Sequence, residues 1–153
     1  DLADLVKDVA EDADFEARAK GKSVNISAID DCRVVGSDNL LRSAVENVLR
    51  NAVRYTADGS SVDVSLKVNA DKAVISVADH GGGVPEDELE NLFRPFYRVG
   101  EARERRTGGI GLGLAIARRV IEGHGARIRV DDAPGGGAAF SLHLPRDHAS
   151  AVR

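Results

Sequence analysis

Residues 107–118 read Thr-Gly-Gly-Ile-Gly-Leu-Gly-Leu-Ala-Ile-Ala-Arg, so that a run of glycines leads directly into an amphipathic helix. A glycine-rich turn at a helix start exposes backbone N–H groups with no side chains in front of them, and such groups bind phosphate oxygens. The chain has no Gly-x-x-x-x-Gly-Lys-Ser/Thr sequence, and no hydrophobic strand precedes these glycines. A P-loop and a dinucleotide-binding fold are therefore excluded. The charged stretch before the glycines, 98–106, is expected to be a mobile flap over the phosphate.

The composition is that of a soluble globular domain and excludes several classes of function. A formal net charge of −4 argues against a nucleic-acid-binding protein, which usually carries a basic field. The single cysteine, Cys32, excludes an internal disulfide and is expected to be a small buried residue. The four histidines show no ligand spacing, so that no structural zinc site is expected. The chain begins at Asp1 without methionine, and we expect it to be a piece of a longer protein.

Hydrophobic periodicity predicts alternating helices and strands along one domain, 1–153. Helices are predicted at 1–20, at 38–55 with Ser37 or Asp38 as the cap, at 85–92, and from the glycines to about 122. Strands are predicted at 24–29, 33–35, 126–132 and 138–144, with a hairpin of 61–69 and 72–79. The tail after Pro145 is expected to fray. The predicted fold class is α/β, a two-layer sandwich of about three main helices on a mostly antiparallel sheet.

The predicted helix 38–55 has one apolar face and one unusual polar face. Asn47, Asn51 and Arg54 fall together on the polar face, with Arg50 at its edge. Asparagine is a mediocre helix former, so that two of them four residues apart need a reason. One interpretation is an ordinary solvated face. The other is a Mg²⁺ site, in which the amide oxygen of Asn51 helps to hold the ion and the two arginines meet phosphates.

Three further sites allow both a structural and a binding interpretation. Asp79, at the end of a predicted strand and followed by Gly81 and Gly83, either forms a turn or accepts a hydrogen bond from an exocyclic amine such as that of adenine. Tyr55 either packs in the core or against a base. Phe93, Phe96 and Tyr97 form either part of the core or an anchor for the charged flap, and their sequence spacing leaves both alternatives open.

The order of these segments is more specific than any one of them. Asn47-x-x-x-Asn51, then Asp79-x-Gly-x-Gly83, then Phe93-x-x-Phe96, then Gly109-x-Gly-x-Gly113 resembles the four boxes of the histidine-kinase catalytic and ATP-binding domain, of the Bergerat-fold (GHKL) superfamily. The resemblance covers nearly the whole chain. Residues 92–105 and 45–55 are especially similar to envelope-stress sensor kinases of the Cpx type.

The resemblance implies a role for each box. Asn51 would be the Mg²⁺ ligand with Asn47 a nearby polar contact, and Asp79 would bind the adenine amino group. Residues 94–110 would form a lid over ATP, anchored by Phe93 and Phe96, and the glycines from 109 to 113 would be its hinge and the phosphate cradle. The implied ATP-binding positions are Asn47, Arg50, Asn51, Arg54, Tyr55, Asp79, Gly81, Gly83, Val84, Phe96, Arg98, Gly109, Ile110, Gly111, Leu112 and Gly113.

Two departures and one substitution bear on the expected activity. Ile110 stands where threonine or serine is common in the family, and the phosphoacceptor helix with its His-Glu-x-Arg motif is absent, so that no catalytic residue is assigned on this chain. The hydrolases of this fold resemble one another in placing a glutamate, as a general base, where this chain has Asn47. Glu46 points about 140° away from Asn51 around the helix. The expected reaction is therefore transfer of the γ-phosphoryl group of Mg-ATP to a histidine.

Alternatives from other classes stay open: a nucleotide-binding regulatory module without catalysis, and a serine kinase of the anti-sigma-factor type. The expected partners are the dimerisation and phosphoacceptor domain of the same parent and a response regulator. No nucleic acid and no membrane contact are expected for the fragment. We expect a monomeric fragment of a homodimeric parent, and a cytoplasmic domain of a bacterial inner-membrane protein.

Overall fold

The computed structural model of the protein describes residues 1–81, 93–94, 113–132 and 136–146. Within these ranges the chain forms three helices and five strands. In chain order they are α1 (Leu2–Arg18), β1 (Ser23–Ile29), α2 (Asp38–Tyr55), β2 (Ser61–Val68), β3 (Lys72–Ala78), α3 (Gly113–Gly123), β4 (Arg127–Asp132) and β5 (Ala138–Pro145). None of these helices combines the length and the apolar character that crossing a bilayer requires.

The five strands form one mixed sheet in the order β1-β2-β3-β5-β4. Strands β2 and β3, β3 and β5, and β4 and β5 pair antiparallel, whereas β1 pairs parallel to β2 through the α2 crossover. The Asn69 side chain accepts a hydrogen bond from the Lys72 N–H at 2.9 Å and closes the β2–β3 turn. The predicted hairpin and the predominantly antiparallel sheet are both confirmed.

Alternation along the central strands places the core between the sheet and the helices. Every second residue of β2, β3 and β5 is buried, and the residues between them are half-buried or exposed. The α2 stripe that meets this face consists of Leu41, Ala44, Val45, Val48, Leu49, Ala52 and Val53. Helix α1 packs on β1 and α2, while α3 packs on α2 and β4. The two-layer α/β sandwich is therefore confirmed.

The predicted strand at 33–35 is wrong. Residues 30–35 form no strand, because this segment is held instead by the start of α1, where the Leu2 N–H donates to the Cys32 carbonyl at 3.1 Å. Val35 is 78% exposed, whereas Cys32 is buried as expected. Desolvation accordingly raises the pKa of the Cys32 thiol. The helix predicted at 85–92 and the frayed tail lie outside the described residues, apart from Arg146.

Candidate functional site

Helix α2, which carries the polar face singled out above, is fixed at both ends. At its start the Ser37 side chain accepts a hydrogen bond from the Leu40 N–H at 3.3 Å, so that Ser37 is the cap. At its end the Lys22 ammonium donates to the carbonyls of Val53 and Arg54, at 2.9 and 3.3 Å. A cation at a helix C-terminus also interacts favourably with the helix dipole. The last turn of α2 is thus held against the start of β1.

Asn47 and Asn51 are half-buried on the face of α2 that meets α3 and the end of the sheet. The Asn47 Oδ1 atom lies 3.3 Å from the position that a Cβ would occupy at Gly113, so that Asn47 is packed against the first residue of α3. In the part of the chain that the structure describes, neither asparagine amide has a hydrogen-bond partner. Half-buried amides without protein partners next to a helix N-terminus are suited to a polar ligand or a hydrated cation.

The side chains of the two arginines of α2 lie beside α1. Arg50 and Arg54 line a groove between α1 and α2, and Glu16 of α1 lies in the same groove. Glu46 lines the continuation of this groove beside Arg50. The structure therefore separates Arg50 and Glu46 from Asn47, which lies against α3. Contact of Arg50 or Arg54 with phosphate stays a prediction.

Asp79, directly after β3, is the most deeply buried charged side chain in the described residues, with 3% of its surface exposed. Its Oδ1 atom accepts hydrogen bonds from the N–H groups of Gly81 and Ala138, at 3.0 and 3.1 Å. Within the described ranges, Oδ2 of the same carboxylate has no hydrogen-bond partner. A buried carboxylate oxygen without a donor is energetically unfavourable unless a ligand supplies one.

Two glycines, Gly81 and Gly137, lie so close to the Asp79 turn that a side chain at either position would overlap its neighbours. A Cβ at Gly81 would overlap the carbonyl oxygen of Tyr55, at the end of α2. Gly137 has a φ of +90°, and a Cβ there would overlap the Asp79 backbone and lie 2.6 Å from its Oδ1. Only glycine permits these close approaches. The β4–β5 loop is thereby brought onto the Asp79 turn, a contact that sequence reasoning missed.

Thr56, which sequence reasoning also missed, supports the same turn through hydrogen bonds. Thr56 is buried, and its hydroxyl oxygen accepts a hydrogen bond from the His80 N–H at 3.0 Å and lies 2.7 Å from the Ser60 hydroxyl. The His80 ring lies with Nδ1 2.5 Å from the Ser61 carbonyl and Nε2 3.6 Å from an Asp63 carboxylate oxygen. The end of α2, the start of β2 and the Asp79 turn are joined in this way. A polar residue directly after a helix is a weak signal of such a brace.

Phe93, one of the expected lid anchors, is buried. Its ring meets Phe140 of β5 edge to face, with 6.2 Å between centroids and 88° between planes. The Arg118 guanidinium of α3 lies 5.2 Å from the Phe93 centroid, within the range of a cation–π contact. Position 93 is thereby fixed to both the sheet and α3.

The remaining predicted positions lie outside the described residues: Gly83, Val84, Phe96, Arg98, Gly109, Ile110, Gly111 and Leu112, with almost all of the proposed lid. Within the described residues, no group of three or more His, Cys, Asp or Glu side chains is arranged to hold a metal ion. A metal ion here would therefore need ligands such as asparagine, water and phosphate.

The fold and this arrangement define a class of ATP-binding protein. The model of the histidine kinase-, DNA gyrase B- and HSP90-like ATPase family matches residues 36–148, and the chain belongs to this family. Within this family, the relatives of the chain are sensor histidine kinases.

Three relatives illustrate the similarity. Sensor histidine kinase CpxA of Escherichia coli K12 is 40% identical over 142 residues, which cover 92% of this chain and 31% of CpxA. The structure of the mycobacterial sensor histidine kinase MprB matches with a TM-score of 0.85 and 30% identity, and the match covers 95% of this chain and 96% of that one. Full-length ShkA in complex with AMPPNP matches with a TM-score of 0.80 and 29% identity, over 95% of this chain and 30% of that one. The chain spans about a third of the curated relatives' length.

Proposed function

We propose that the chain binds Mg-ATP between α2, the Asp79 turn and the start of α3, and that the γ-phosphoryl group passes to a histidine on a separate dimerisation and phosphoacceptor domain. The observation that carries this proposal is the buried Asp79 carboxylate, which has one oxygen held by two backbone N–H groups and the other without a partner among the described residues.

The chemistry of this carboxylate fits adenine. The unpartnered Oδ2 is an acceptor and the adenine amino group is a donor, and burial favours the formation of a bond between them. Gly81 and Gly137 leave room where side chains would overlap the turn, and Tyr55 lies beside it at the end of α2. ShkA, with the same fold, has been observed with the nucleotide analogue AMPPNP. We assign Asp79, Gly81, Tyr55, Gly83 and Val84 to the base.

The phosphate end of the nucleotide belongs to α2 and the glycines before α3. Asn51 would supply an amide oxygen to Mg²⁺, most of whose ligands are water and phosphate, and Asn47 would contact the phosphates or the hydrated ion. When bound, Mg²⁺ neutralises part of the phosphate charge. The backbone N–H groups of the glycines from 109 to 113 would meet the same end. Arg50, Arg54 and Arg98 are proposed as its cationic contacts, for which Arg50 and Arg54 would leave the groove beside α1.

Phosphoryl transfer fits the polar groups of α2 better than hydrolysis does. The side chain of Asn47 cannot take a proton from water, and Glu46 lies in the groove beside α1. In the proposed transfer, a histidine nitrogen forms a bond to the γ-phosphorus while the bond from that phosphorus to the β–γ bridging oxygen breaks, and ADP leaves. The protein contributes positioning and charge neutralisation.

The relatives extend the proposal to the parent protein. They are sensor histidine kinases, so that a response regulator as the next phosphoryl acceptor and a dimeric parent follow as proposals. We further propose that this domain is cytoplasmic in a parent inserted in the bacterial inner membrane.

Calorimetric titration of the chain with AMPPNP, with and without Mg²⁺, tests nucleotide binding. Asp79→Asn is the informative variant, because its amide oxygen can still accept from Gly81 and Ala138 while the amide nitrogen replaces the acceptor that faces adenine. We expect a loss of affinity of about tenfold or more with an unchanged fold, since one buried hydrogen bond is replaced by a donor–donor clash. The matched control is Asp4→Asn, at an exposed position near the start of α1, with unchanged affinity. Equal affinity in wild type and Asp79→Asn would reject the adenine assignment.

Two further measurements separate the alternatives. Asn51→Ala should bind AMPPNP with an affinity that no longer depends on Mg²⁺, and an unchanged dependence would exclude Asn51 as a ligand. Radiolabelled ATP with a supplied dimerisation and phosphoacceptor domain should give an acid-labile phosphohistidine. Binding without transfer would indicate a regulatory module, and acid-stable phosphoserine would indicate the serine-kinase class.

A further inference from the structure

The face of the sheet that points away from the helices carries a group of cations near one end. Lys67 of β2, Lys72 of β3, and Arg127 and Arg129 of β4 surround His143 of β5. We call these five residues the basic face. Lys67, Arg127 and Arg129 are exposed, and Lys72 and His143 are half-buried. The protein as a whole has a net charge of −4, so that this concentration of positive charge is local.

The strand register fixes how these side chains lie relative to one another. One row across the sheet runs Lys67, Val74, His143, Arg127, and the next runs Ser65, Ser76, Ser141, Arg129. Neighbours in a row are about 5 Å apart and rows on the same face about 7 Å apart. The cations thus border a shallow trough floored by small hydroxyl side chains.

Within the described ranges, the lysines and arginines of the basic face are not held in ion pairs, although Asp30, whose Oδ2 accepts from the Val68 N–H at 2.9 Å, and Asp71 lie at the same end of the sheet. None of these lysines and arginines has an ion pair within 4.0 Å in those ranges. Asp63 and Asp131 lie one row beyond the serines, at the opposite end of this face. Burial, and then the charges of Arg129, Arg127 and Lys72, lower the pKa of His143. Three of the four cations thus act directly on His143 at the centre of the basic face.

Protection of the sheet edge explains only part of this arrangement. Charged side chains on an edge strand discourage pairing with another chain, and β4 is an edge strand, so that Arg127 and Arg129 serve this purpose. Lys67, Lys72 and His143 lie on inner strands that are already paired on both sides, where no edge needs protection. Edge protection therefore does not explain why they cluster around the serine row, whereas binding of a ligand of opposite charge would explain it.

We propose that the basic face is a docking surface for an acidic segment of a partner protein, whose carboxylates pair with the lysines and arginines and accept hydrogen bonds from the serine hydroxyls. Charge complementarity supports this occupant. A protein segment is favoured over a lipid surface because no exposed large apolar side chain of the described residues lies on this face for insertion into a membrane. Those that are exposed are Phe15, Ile26, Val35, Leu40 and Ile116. This proposal does not depend on the nucleotide site.

The probe is a fluorescent peptide of twelve residues that alternates glutamate and serine, titrated with the chain and followed by anisotropy. We expect saturable binding at about 50 mM salt that weakens at least about tenfold at about 300 mM, because exposed charges are screened. Bound carboxylates should also raise the pKa of His143, which NMR titration of its ring measures. Absence of binding, or binding that leaves the His143 pKa unchanged, would overturn the proposal.

Charge-reversal variants test whether the peptide binds to the basic face. Arg127→Glu/Arg129→Glu should reduce affinity for the peptide at least about tenfold, since two favourable pairs become repulsive. The matched control Lys7→Glu/Arg33→Glu makes the same change in net charge at exposed positions in α1 and the 30–35 segment, and should lower the affinity for the peptide by less than about threefold, because charges far from the site are screened. Equal losses in both variants would show non-specific attraction and reject the site. Binding to phosphatidylglycerol vesicles but not to the peptide, with the same dependence on Arg127 and Arg129, would reject a protein partner.

Urea denaturation of both double variants establishes that they are folded. Should the β4 variant fail to fold, Lys67→Glu/Lys72→Glu tests the same face from β2 and β3. An affinity for the peptide equal to that of the wild-type chain would then overturn the proposal.

Discussion

The Nε2 atom of His124 accepts a hydrogen bond from the Ser37 N–H at 3.0 Å, while Nδ1 lies 2.8 Å from the Val120 carbonyl. Because a carbonyl can only accept, Nδ1 is the donor and Nε2 the acceptor in these two contacts. This ring joins the end of α3 to the cap of α2. At the other end of α3, Gly113 packs against Asn47 of the same helix α2. Both ends of α3 are thus in contact with α2 or its cap, and these two helices border the proposed phosphate site.

The first prediction tests the contact between the His124 ring and the residues before α2, where Gly36 lies close to the ring. A Cβ at Gly36 would lie 2.5 Å from Cδ2 of His124 and 3.0 Å from Cδ1 of Leu41. Gly36→Ala should therefore lower the free energy of unfolding by about 1–3 kcal/mol, as overpacking does. His124→Ala should lower it by a similar amount, because it leaves the Ser37 N–H without an acceptor. Urea denaturation measures both.

The double variant Gly36→Ala/His124→Ala supplies the control for that experiment. Removing the ring makes room for the new methyl group, so the double variant should be more stable than the sum of the single effects predicts, by about 1 kcal/mol. Strict additivity would mean that position 36 and the ring do not interact.

The brace beneath the Asp79 turn gives the second prediction. Thr56→Val preserves the shape of the side chain but removes the acceptor for the His80 N–H, and should lower the free energy of unfolding by about 1–3 kcal/mol. Thr56→Ser keeps the hydroxyl and should retain most of the stability, apart from the lost methyl group. Urea denaturation compares the three proteins, and a Thr56→Val variant as stable as wild type would show that the hydrogen bond contributes nothing.

The third prediction concerns Gly137, where the β4–β5 loop meets Asp79. Gly137→Ala combines a positive φ with overlap of the Asp79 backbone, so it should be destabilising and should weaken AMPPNP binding. Gly59→Ala is the matched control. Its φ is +77° but nothing lies within 4 Å of the new methyl group, so it should cost only about 1 kcal/mol and leave binding unchanged. Thermal unfolding and calorimetry distinguish the two, and equal effects would remove the special role of position 137.

The fourth prediction is a pH dependence at Asp14, which joins α1 to β1. The Val24 N–H donates to Oδ1 at 2.8 Å and Arg18 donates to Oδ2 at 2.9 Å, and these two bonds lower the pKa of Asp14 below its usual 3.8. The folded state therefore binds the proton less readily than the unfolded state. The stabilisation is complete above the unfolded pKa and is lost as the pH falls through the folded pKa.

Asp14→Asn should accordingly be less stable than wild type by about 1 kcal/mol at pH 7, with the difference shrinking below about pH 4. Urea denaturation between pH 2.5 and 7 measures this, at about half-unit steps. Asp12→Asn, on the exposed side of the same helix, is the control and should show a much smaller difference. A difference at Asp14 that stays constant down to the lowest pH would contradict the argument.

Local sequence predicted most of the elements because their signals are local. The apolar stripe of α2 follows from a period of 3.6 residues, and its start follows from a serine cap, so the predicted range 38–55 agrees with the structure. Alternation predicted β2, β3 and β5 in the same way. The strand at 33–35 failed because three residues with β propensity do not form a strand unless a neighbouring strand pairs with them. Pairing is not a local property.

The sequence by itself determined the order of the four motifs, the identity of the polar residues and hence the family. Only the tertiary structure decided that Ala138 and Gly137 complete the Asp79 turn and that Thr56 supports it. It also decided that cations from three separate strands share one face. The physical reason is the same in each case: these contacts join residues far apart in the chain, and their geometry depends on sheet register and helix packing.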